Sequence, residues 1–216
     1  MKKIPWLRII VHIYGWLPLA QLIFAYINRN LGPNPIQAME QRTGLQALIF
    51  LVLSLACTPI ASITGWREFS SRRKALGNYG FMYAACHLGI FIGIDYTFDL
   101  EAIFRDVGTK KYILVGLLAF VFLLSLAVTS FKYMMKLLGK NWKKLHRLAY
   151  VISPLVIFHF LLSAKGNILR MQGNIAQPLL YGAIVLILLL LRIPKIKTAI
   201  SSFKDHLQNR MNKSAV

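Results

Sequence analysis

The stretch YILVGLLAFVFLLSLAVTSF, residues 112–131, decides the fold class of this chain. It contains 20 consecutive residues without a charged side chain. A helix of about 20 apolar residues crosses the hydrocarbon core of a bilayer, whereas the core of a soluble domain does not require such a run. The stretch therefore predicts a transmembrane α-helix.

Five other stretches share this apolar character, and 56% of the 216 residues are hydrophobic. The six stretches predict an all-α, polytopic membrane protein, a six-helix bundle that forms a single domain over residues 1–216. The predicted spans are 8–27, 45–63, 77–97, 112–131, 145–164 and 178–193. The first follows a basic start, as signal peptides do, but it contains polar residues and lacks a small-residue cleavage pattern, so we expect a retained span.

The formal net charge of +19 is explained by where the basic residues lie between the predicted spans. With the N-terminus inside, 19 of the 26 lysines and arginines lie on the cytoplasmic side, which predicts that both termini are cytoplasmic. The acidic residues near the predicted outer face are Glu40, Asp95, Asp99, Glu101 and Asp106. Because topology accounts for the basicity, the charge does not indicate a nucleic-acid-binding protein.

Several motifs of soluble redox enzymes are absent from the sequence. There is no Gly-x-Gly-x-x-Gly stretch, no Walker loop and no Cys-x-x-Cys pair, and Cys57 and Cys86 both fall within predicted spans as packing residues. The chain therefore lacks a nicotinamide-binding Rossmann domain. If electrons pass through it, their donor and acceptor are separate molecules.

Three histidines on the third and fifth predicted spans are the candidate metal ligands. His87 lies halfway along the third span, His146 near the cytoplasmic end of the fifth, and His159 lies 13 residues beyond His146, a rise of roughly 20 Å along a helix. Neutral imidazoles on facing helices are suited to the axial positions of a b-type haem. The spacing predicts one haem between His87 and His159 towards the outer side, and a second, inner level at His146.

Two features complicate the prediction of a second, inner haem at His146. On a straight helix His146 and His159 point roughly 140° apart, so they share a face only if Pro154 kinks or rewinds the helix. Arg73 lies 14 residues before His87, nearly on the same face, and its planar guanidinium suits a carboxylate such as a haem propionate. We therefore expect unusual ligation for an inner haem.

Other functions fit intramembrane histidines as well. They form proton relays in channels and transporters, and as packing residues they would fit an assembly or scaffold subunit. The role of His12 on the first span stays open, and His206 in the polar tail is interpreted as a solvated residue.

Several motifs resemble the ferric-reductase-like transmembrane family, which includes NADPH oxidases and ferric reductases. The stretch Leu138-Gly139-Lys140-Asn141-Trp142-Lys143-Lys144-Leu145-His146-Arg147-Leu148-Ala149-Tyr150 is similar to the family signature L-G-x-x-W-x-x-L-H-x-x-x-Y. His159 follows it, and His87 matches the family's other haem helix. NADPH oxidases carry a histidine where this chain has Arg73, which leaves the outer haem as the firmer prediction.

Within that family the chain resembles the haem-binding membrane subunits of bacterial protein-methionine-sulfoxide reductase systems. The matching features are His12 with Gly15 and Leu17-Pro18, the loop 31–35 leading to Thr43-Gly44, Thr58-Pro59, Arg72-Arg73 before Leu76-Gly77, and Thr129-Ser130. The resemblance implies an inner-membrane subunit with one or two b-type haems. Its electrons would come from the respiratory quinone pool or a cytoplasmic flavin reductase.

The resemblance also implies where the electrons go. Their acceptor would be a periplasmic molybdenum-cofactor enzyme, which reduces methionine sulfoxide in oxidised envelope proteins, so that the sulfoxide chemistry takes place on the partner. FMN binding is implied by the resemblance too, without identified residues in this chain. Membrane lipids are the remaining expected partners, through the basic loop from Lys132 to Arg147.

Overall fold

The computed structural model describes residues 6–164, 166–167, 172–173, 175–193, 196 and 198. The elements in these ranges are α1 (Trp6–Ile27), α2 (Pro35–Thr64), α3 (Arg67–Ile90) continued by a π-helix (Phe91–Asp95), α4 (Leu100–Thr109), α5 (Lys111–Val128), α6 (Lys132–Leu138), α7 (Lys140–Leu145), a 3₁₀ turn (His146–Leu148), α8 (Ala149–Ser163), β1 (Gly166–Asn167), β2 (Gln172–Gly173) and α9 (Ala176–Leu190). The two strands form a short antiparallel ladder in which Gly166 pairs with Gly173 and Asn167 with Gln172. His206 and the basic residues Lys2, Lys3, Lys195, Lys197, Lys204, Arg210 and Lys213 lie outside the described residues.

The helical membrane class is confirmed. Among the described residues, four segments are long and apolar enough to cross a membrane: α1, α2, α5 and the segment Lys140–Ser163 that joins α7 to α8. A fifth is obtained if α3 with its π-helix and α4, bent by 117° relative to each other, count as one span. At 15 residues α9 measures roughly 22 Å, less than the roughly 30 Å of the hydrocarbon core, so its length alone does not make it a span.

The structure differs from the prediction at three places. The helix α2 begins at Pro35 rather than at 45, since the Asn34 side chain accepts a hydrogen bond from the Gln37 amide (3.1 Å) and proline suits the first helical position. The helix α3 begins at Arg67, not at 77. The basic segment predicted as a loop forms α6 and α7, separated at Gly139 with φ +49.

The packing centre of the bundle is the pair α2 and α3. Phe50 and Tyr83 are almost fully buried there, and their rings stack at 5.4 Å with an angle of 13° between planes. Cys57 is buried in the same cluster, and both it and Cys86 are free thiols, in agreement with a packing role. A second cluster joins α5 to α8 around Ile152, which is 1% exposed.

The Tyr83 hydroxyl takes the place of one backbone hydrogen bond of α1. It donates to the Gly15 carbonyl (2.9 Å) and accepts from the Leu19 amide (3.0 Å), two groups that bond directly in an uninterrupted helix. Pro18 lies between them and lacks an amide hydrogen, so the ladder is already weakened there. One side chain of α3 thereby anchors α1.

The far end of α3 is closed by a turn and a short amphipathic helix. After the π-helix, Thr97 and Phe98 adopt φ values of 48° and 62°, and α4 then runs across the bundle end. The Tyr96 hydroxyl donates to the Asp106 carboxylate, which also accepts a 2.6 Å bond from Lys110 Nζ. That carboxylate raises the pKa of Lys110. These contacts hold the segment that follows the His87 helix.

Candidate functional site

The structure brings His87 of α3 and His159 of α8 together. Their ring centroids lie 6.3 Å apart and their planes cross at 77°. Both side chains are partly buried inside the bundle. The predicted pairing across the third and fifth spans is therefore geometrically present.

Each of the two rings is held by a backbone carbonyl of a neighbouring helix. His87 Nδ1 lies 2.9 Å from the Glu40 carbonyl oxygen on α2, and His159 Nδ1 lies 2.8 Å from the Tyr112 carbonyl oxygen on α5. A carbonyl oxygen only accepts, so each Nδ1 must carry the proton and donate it. Each Nε2 then keeps a free lone pair, the state that a metal ligand requires.

Glycines provide the space for both rings. A β-carbon on Gly44 would lie 3.3 Å from the His87 ring, and one on Gly116 would lie 2.7 Å from the His159 ring. A contact of 2.7 Å is closer than real side chains tolerate, so only glycine fits at Gly116 without moving the ring. Because glycine has no β-carbon, α2 can lie close to the His87 ring at Gly44, and α5 can lie close to the His159 ring at Gly116.

The two half-sites share one construction. In each, the histidine lies 47 residues after the carbonyl that accepts its Nδ1 hydrogen. In each, a glycine stands four residues after that carbonyl, one helical turn further along. The sequence shows no internal repeat, so the correspondence between α2/α3 and α5/α8 is visible only in the structure.

The number of ligating side chains distinguishes a site for a bare metal ion from a site for a metal held in a macrocycle. Among the described residues no group of three or more His, Cys, Asp or Glu side chains could hold a metal ion, and protein sites for a bare ion usually supply three or four ligands. Two imidazoles that bind one metal from opposite sides, each through a bond of about 2 Å, place their ring centres about 6 Å apart. The pair therefore fits the axial positions of a metal whose other ligands come from a macrocycle.

His146 lies at the other end of the fifth predicted span. Its Nε2 is 3.3 Å from the Thr129 hydroxyl, and its ring lies against Trp142 with 4.1 Å between centroids. The Trp142 indole donates to the Thr129 carbonyl (2.9 Å), so the tryptophan of the family signature ties α7 to the end of α5. His146 is not paired with a second histidine in the described part of the chain.

Arg73 lies near His146, close enough for its charge and that of Lys74 to act on the ring. Its backbone carbonyl accepts a hydrogen bond from Ser54 (2.9 Å). We call the end of the bundle that carries Arg72, Arg73 and Lys74 the basic end. Lys74 Nζ donates to the carbonyl of Ser130, next to Thr129, so Arg73 and His146 lie at the same end of the bundle.

The phase difference between His146 and His159 is reduced by local rewinding, but at a different place from Pro154. Residues His146–Leu148 form a 3₁₀ turn at the start of α8. A 3₁₀ helix rotates by about 120° per residue instead of about 100°, which brings the two faces roughly 60° closer. Pro154 remains inside α8.

Sequence reasoning missed several residues that shape the site. Gly116 belongs to no motif, Gly44 was noted only within the Thr43-Gly44 motif of the resemblance, and the two carbonyl acceptors belong to residues whose side chains are unrelated to the site. Arg192 was counted only as a basic residue, yet its guanidinium donates to the Tyr150 hydroxyl (2.7 Å) and to the Leu55 carbonyl, which joins the end of α9 to α8 and α2. Helix-to-helix contacts of this kind leave no local signal in the sequence.

A membrane helix bundle with paired intramembrane histidines defines the class of protein. Residues 14–157 match the family described as the ferric reductase like transmembrane component, and the chain belongs to this family. It is similar to the curated protein-methionine-sulfoxide reductase heme-binding subunit MsrQ of Herminiimonas arsenicoxydans, with 37% identity over 188 residues that cover 87% of this chain and 84% of that protein. The subunit of the same name from Rhodospirillum rubrum is 37% identical over 187 residues, 86% of each chain. The resemblance inferred from the motifs is thereby confirmed.

Proposed function

We propose that this protein is the haem-binding membrane subunit of a protein-methionine-sulfoxide reductase system and carries electrons across the membrane. The observation that carries the proposal is the pair of facing imidazoles, His87 and His159, with both Nδ1 atoms held and both Nε2 atoms free. The printed names of the two relatives support the choice of haem as the group between them.

In this proposal one b-type haem is held by His87 and His159. When bound, the haem supplies a one-electron change at iron. The protein fixes each ring by a hydrogen bond to a backbone carbonyl, which sets the tautomer and raises the basicity of the ligating nitrogen. Gly44 and Gly116 allow the rings to lie flat against α2 and α5.

A second haem near the basic end is held by His146, with Arg73 as its electrostatic partner. The proximity of the Arg73 charge to the His146 ring supports this assignment. A guanidinium suits a propionate carboxylate better than iron, so Arg73 would orient the macrocycle and tune its reduction potential.

We propose six spans in the bacterial inner membrane with both termini in the cytoplasm. The two further spans are α3 with its π-helix, which is apolar enough only together with α4, and α9, which has 15 residues. The concentration of lysine and arginine at the basic end supports a cytoplasmic position for that end. The pair His87 and His159 then lies towards the periplasm.

The donor in this proposal is the quinone pool or a cytoplasmic flavin reductase, and the acceptor is a periplasmic molybdopterin-containing catalytic subunit that reduces methionine sulfoxide. This chain transfers electrons and the partner performs the substrate chemistry. FMN is a further proposed cofactor, for which the described residues offer no assigned site. The basic segment α6–α7 supports contact with anionic lipids.

The deciding experiment is a dithionite-reduced minus oxidised spectrum of the purified protein, with the haem-to-protein ratio measured in parallel. We expect a Soret band, an α band of b-type haem and a ratio of one or two. A proton channel or a scaffold subunit would be purified without these bands. Absence of haem from protein expressed with an adequate haem supply would overturn the proposal.

A further inference from the structure

A small cavity lies between α1 and α2, at the end of the bundle opposite the basic end. Three residues of α1, four of α2 and Tyr83 of α3 line it, and its volume is about 110 Å³. One water molecule needs roughly 10–15 Å³ of such space. The cavity therefore has room for a ligand group of several heavy atoms.

Two of the five polar side chains in the cavity wall are satisfied by the fold. The Thr43 hydroxyl donates to a backbone carbonyl one turn earlier (2.8 Å), and the Tyr83 hydroxyl bonds to two backbone groups of α1. The side chains of Gln21, Arg42 and Gln46 make no hydrogen bond or ion pair within the described ranges, and the Gln46 Oε1 atom is buried without a partner there. Since an unpaired polar group in a helix bundle is costly, these three side chains leave a polar site open.

The three open side chains select an anionic ligand. Arg42 is permanently charged, and each of the two glutamine amides offers N–H donors. Within the described part of the chain, no carboxylate forms an ion pair with Arg42. A planar guanidinium binds the oxygens of a phosphate or a carboxylate through two parallel hydrogen bonds. The counter-ion of Arg42 therefore comes from another molecule.

The depth of the cavity decides which anion is available. Arg42 lies three residues before the predicted span 45–63, and Gln46 is the second residue of that span. Arg42 is also 12 residues, about 18 Å along α2, from Ser54, whose hydroxyl donates to the Arg73 carbonyl at the basic end. The cavity thus lies at the far edge of the hydrocarbon core, where lipid headgroups carry their phosphates.

A ligand in this cavity would hold α1, which is the less firmly packed of the two helices. Of its 22 residues only Val11, Gly15 and Leu22 are buried, and Leu22 forms part of the cavity wall. The wall also contains Pro18 and Leu45, so an apolar surface adjoins the three unpaired polar side chains. A ligand that combines a phosphate with apolar chains matches both parts of the wall.

We propose that this cavity binds the headgroup phosphate of an anionic phospholipid. The Arg42 guanidinium pairs with the phosphate oxygens, the amides of Gln21 and Gln46 donate to them, and the first part of the acyl chains lies against the apolar wall. The bound lipid joins α1 to α2 at the end of the bundle opposite the basic end. This site is independent of the proposed function, since none of its side chains is assigned to the haem.

The test uses the full-length purified protein in detergent, titrated with dioleoylphosphatidylglycerol and followed by native mass spectrometry. Dioleoylglycerol has the same chains without the phosphate, and inorganic phosphate in excess is the competitor that distinguishes a lipid site from a site for the free anion. The variants are Arg42→Gln and Gln46→Leu. Arg29→Gln and Gln41→Leu, at exposed positions outside the cavity wall, are the matched controls.

We expect Arg42→Gln to weaken the binding of phosphatidylglycerol about tenfold, which is about 1.4 kcal/mol, and Gln46→Leu to weaken it several-fold. The lipid should also raise the unfolding midpoint of the wild type more than that of Arg42→Gln, because it binds the folded state. Both control variants should bind the lipid as the wild type does, and dioleoylglycerol should bind weakly to all of them.

Equal affinity of phosphatidylglycerol for Arg42→Gln and the wild type would overturn the inference, as would equally tight binding of dioleoylglycerol. Displacement of the lipid by inorganic phosphate would show a site for a free anion and would overturn it too. The haem content and the reduced spectrum of Arg42→Gln should equal those of the wild type. A loss of haem in this variant would assign Arg42 to the haem instead of a lipid.

Discussion

The imidazole of His159 occupies the space that a side chain on Gly116 would need. A β-carbon built on Gly116 would lie 2.7 Å from two atoms of the ring, so the close approach of α5 to α8 depends on the absence of that carbon. The same ring donates to the Tyr112 carbonyl one turn earlier on α5. The position and the orientation of this proposed ligand are therefore both set by one helical turn of a neighbouring helix.

Substitution of Gly116 should displace the ligand without removing it. In Gly116→Ala we expect the haem-to-protein ratio to fall several-fold and the α band to shift, because the His159 ring must leave its position. The spectrum of the purified variant measures both. Gly89→Ala is the matched control, since a β-carbon there meets no atom within 4 Å and alanine favours the helix by about 0.5–1 kcal/mol. A normal haem content in Gly116→Ala would show that the ring does not need its observed position.

Removal of either imidazole should abolish the outer haem. We expect His87→Ala and His159→Ala each to lose most of the haem assigned to that pair, because one imidazole cannot satisfy both axial positions. His206→Ala, a histidine predicted to lie in the polar tail, should retain the full content. Haem quantification and the reduced spectrum give the result. Retention of the full wild-type haem content in both alanine variants would contradict the assignment.

Loss of the Tyr83 hydroxyl should loosen α1. In Tyr83→Phe the Gly15 carbonyl and the Leu19 amide lose their bridge at a fully buried position, and each buried polar group left unpaired costs about 1–3 kcal/mol. We expect a lower midpoint of unfolding in detergent. Tyr26→Phe, at a 60% exposed tyrosine of α1 itself, should change stability by no more than about 0.5 kcal/mol. Equal unfolding midpoints for the two variants would mean that the Gly15 carbonyl and the Leu19 amide bond to each other once the Tyr83 hydroxyl is gone.

Replacement of Arg192 should detach the end of α9 from the bundle. Lysine cannot donate to the Tyr150 hydroxyl and the Leu55 carbonyl together, nor lie flat over the Tyr150 ring as the guanidinium does at 4.9 Å. In a Cys86→Ser background we expect Arg192→Lys to raise the rate at which N-ethylmaleimide labels Cys57, which is 3% exposed and lies near Arg192.

The control for this labelling experiment is Arg105→Lys. Arg105 is exposed on α4, and its side chain makes no hydrogen bond in the described part of the structure. Its replacement should leave Cys57 protected. If Arg192→Lys labels no faster than Arg105→Lys, the contacts of Arg192 do not keep α9 in place.

The prediction of helical spans succeeded where long apolar runs decide the outcome, and failed where local contacts do. The run 112–131 became α5, because an unpaired backbone in hydrocarbon must form a helix. The start of α2 at Pro35 depends on the Asn34 cap, which lies in a polar turn outside any hydrophobicity window. The bend after Asp95 arises from positive φ angles at Thr97 and Phe98, for which these residue types carry no clear signal.

By itself the sequence determined that this chain is a helical membrane protein, and it predicted which histidines are candidate metal ligands, since both inferences follow from which residues are costly or stable in hydrocarbon. Only the tertiary structure decided that His87 and His159 face each other across 6.3 Å, that carbonyls of α2 and α5 hold their Nδ1 atoms, and that His12 is oriented by Tyr79. These relations join residues 47, 67 or 72 positions apart. The periodicity of one helix determines which of its faces is apolar, whereas the rotation and approach of two helices depend on the side chains of both, glycines included.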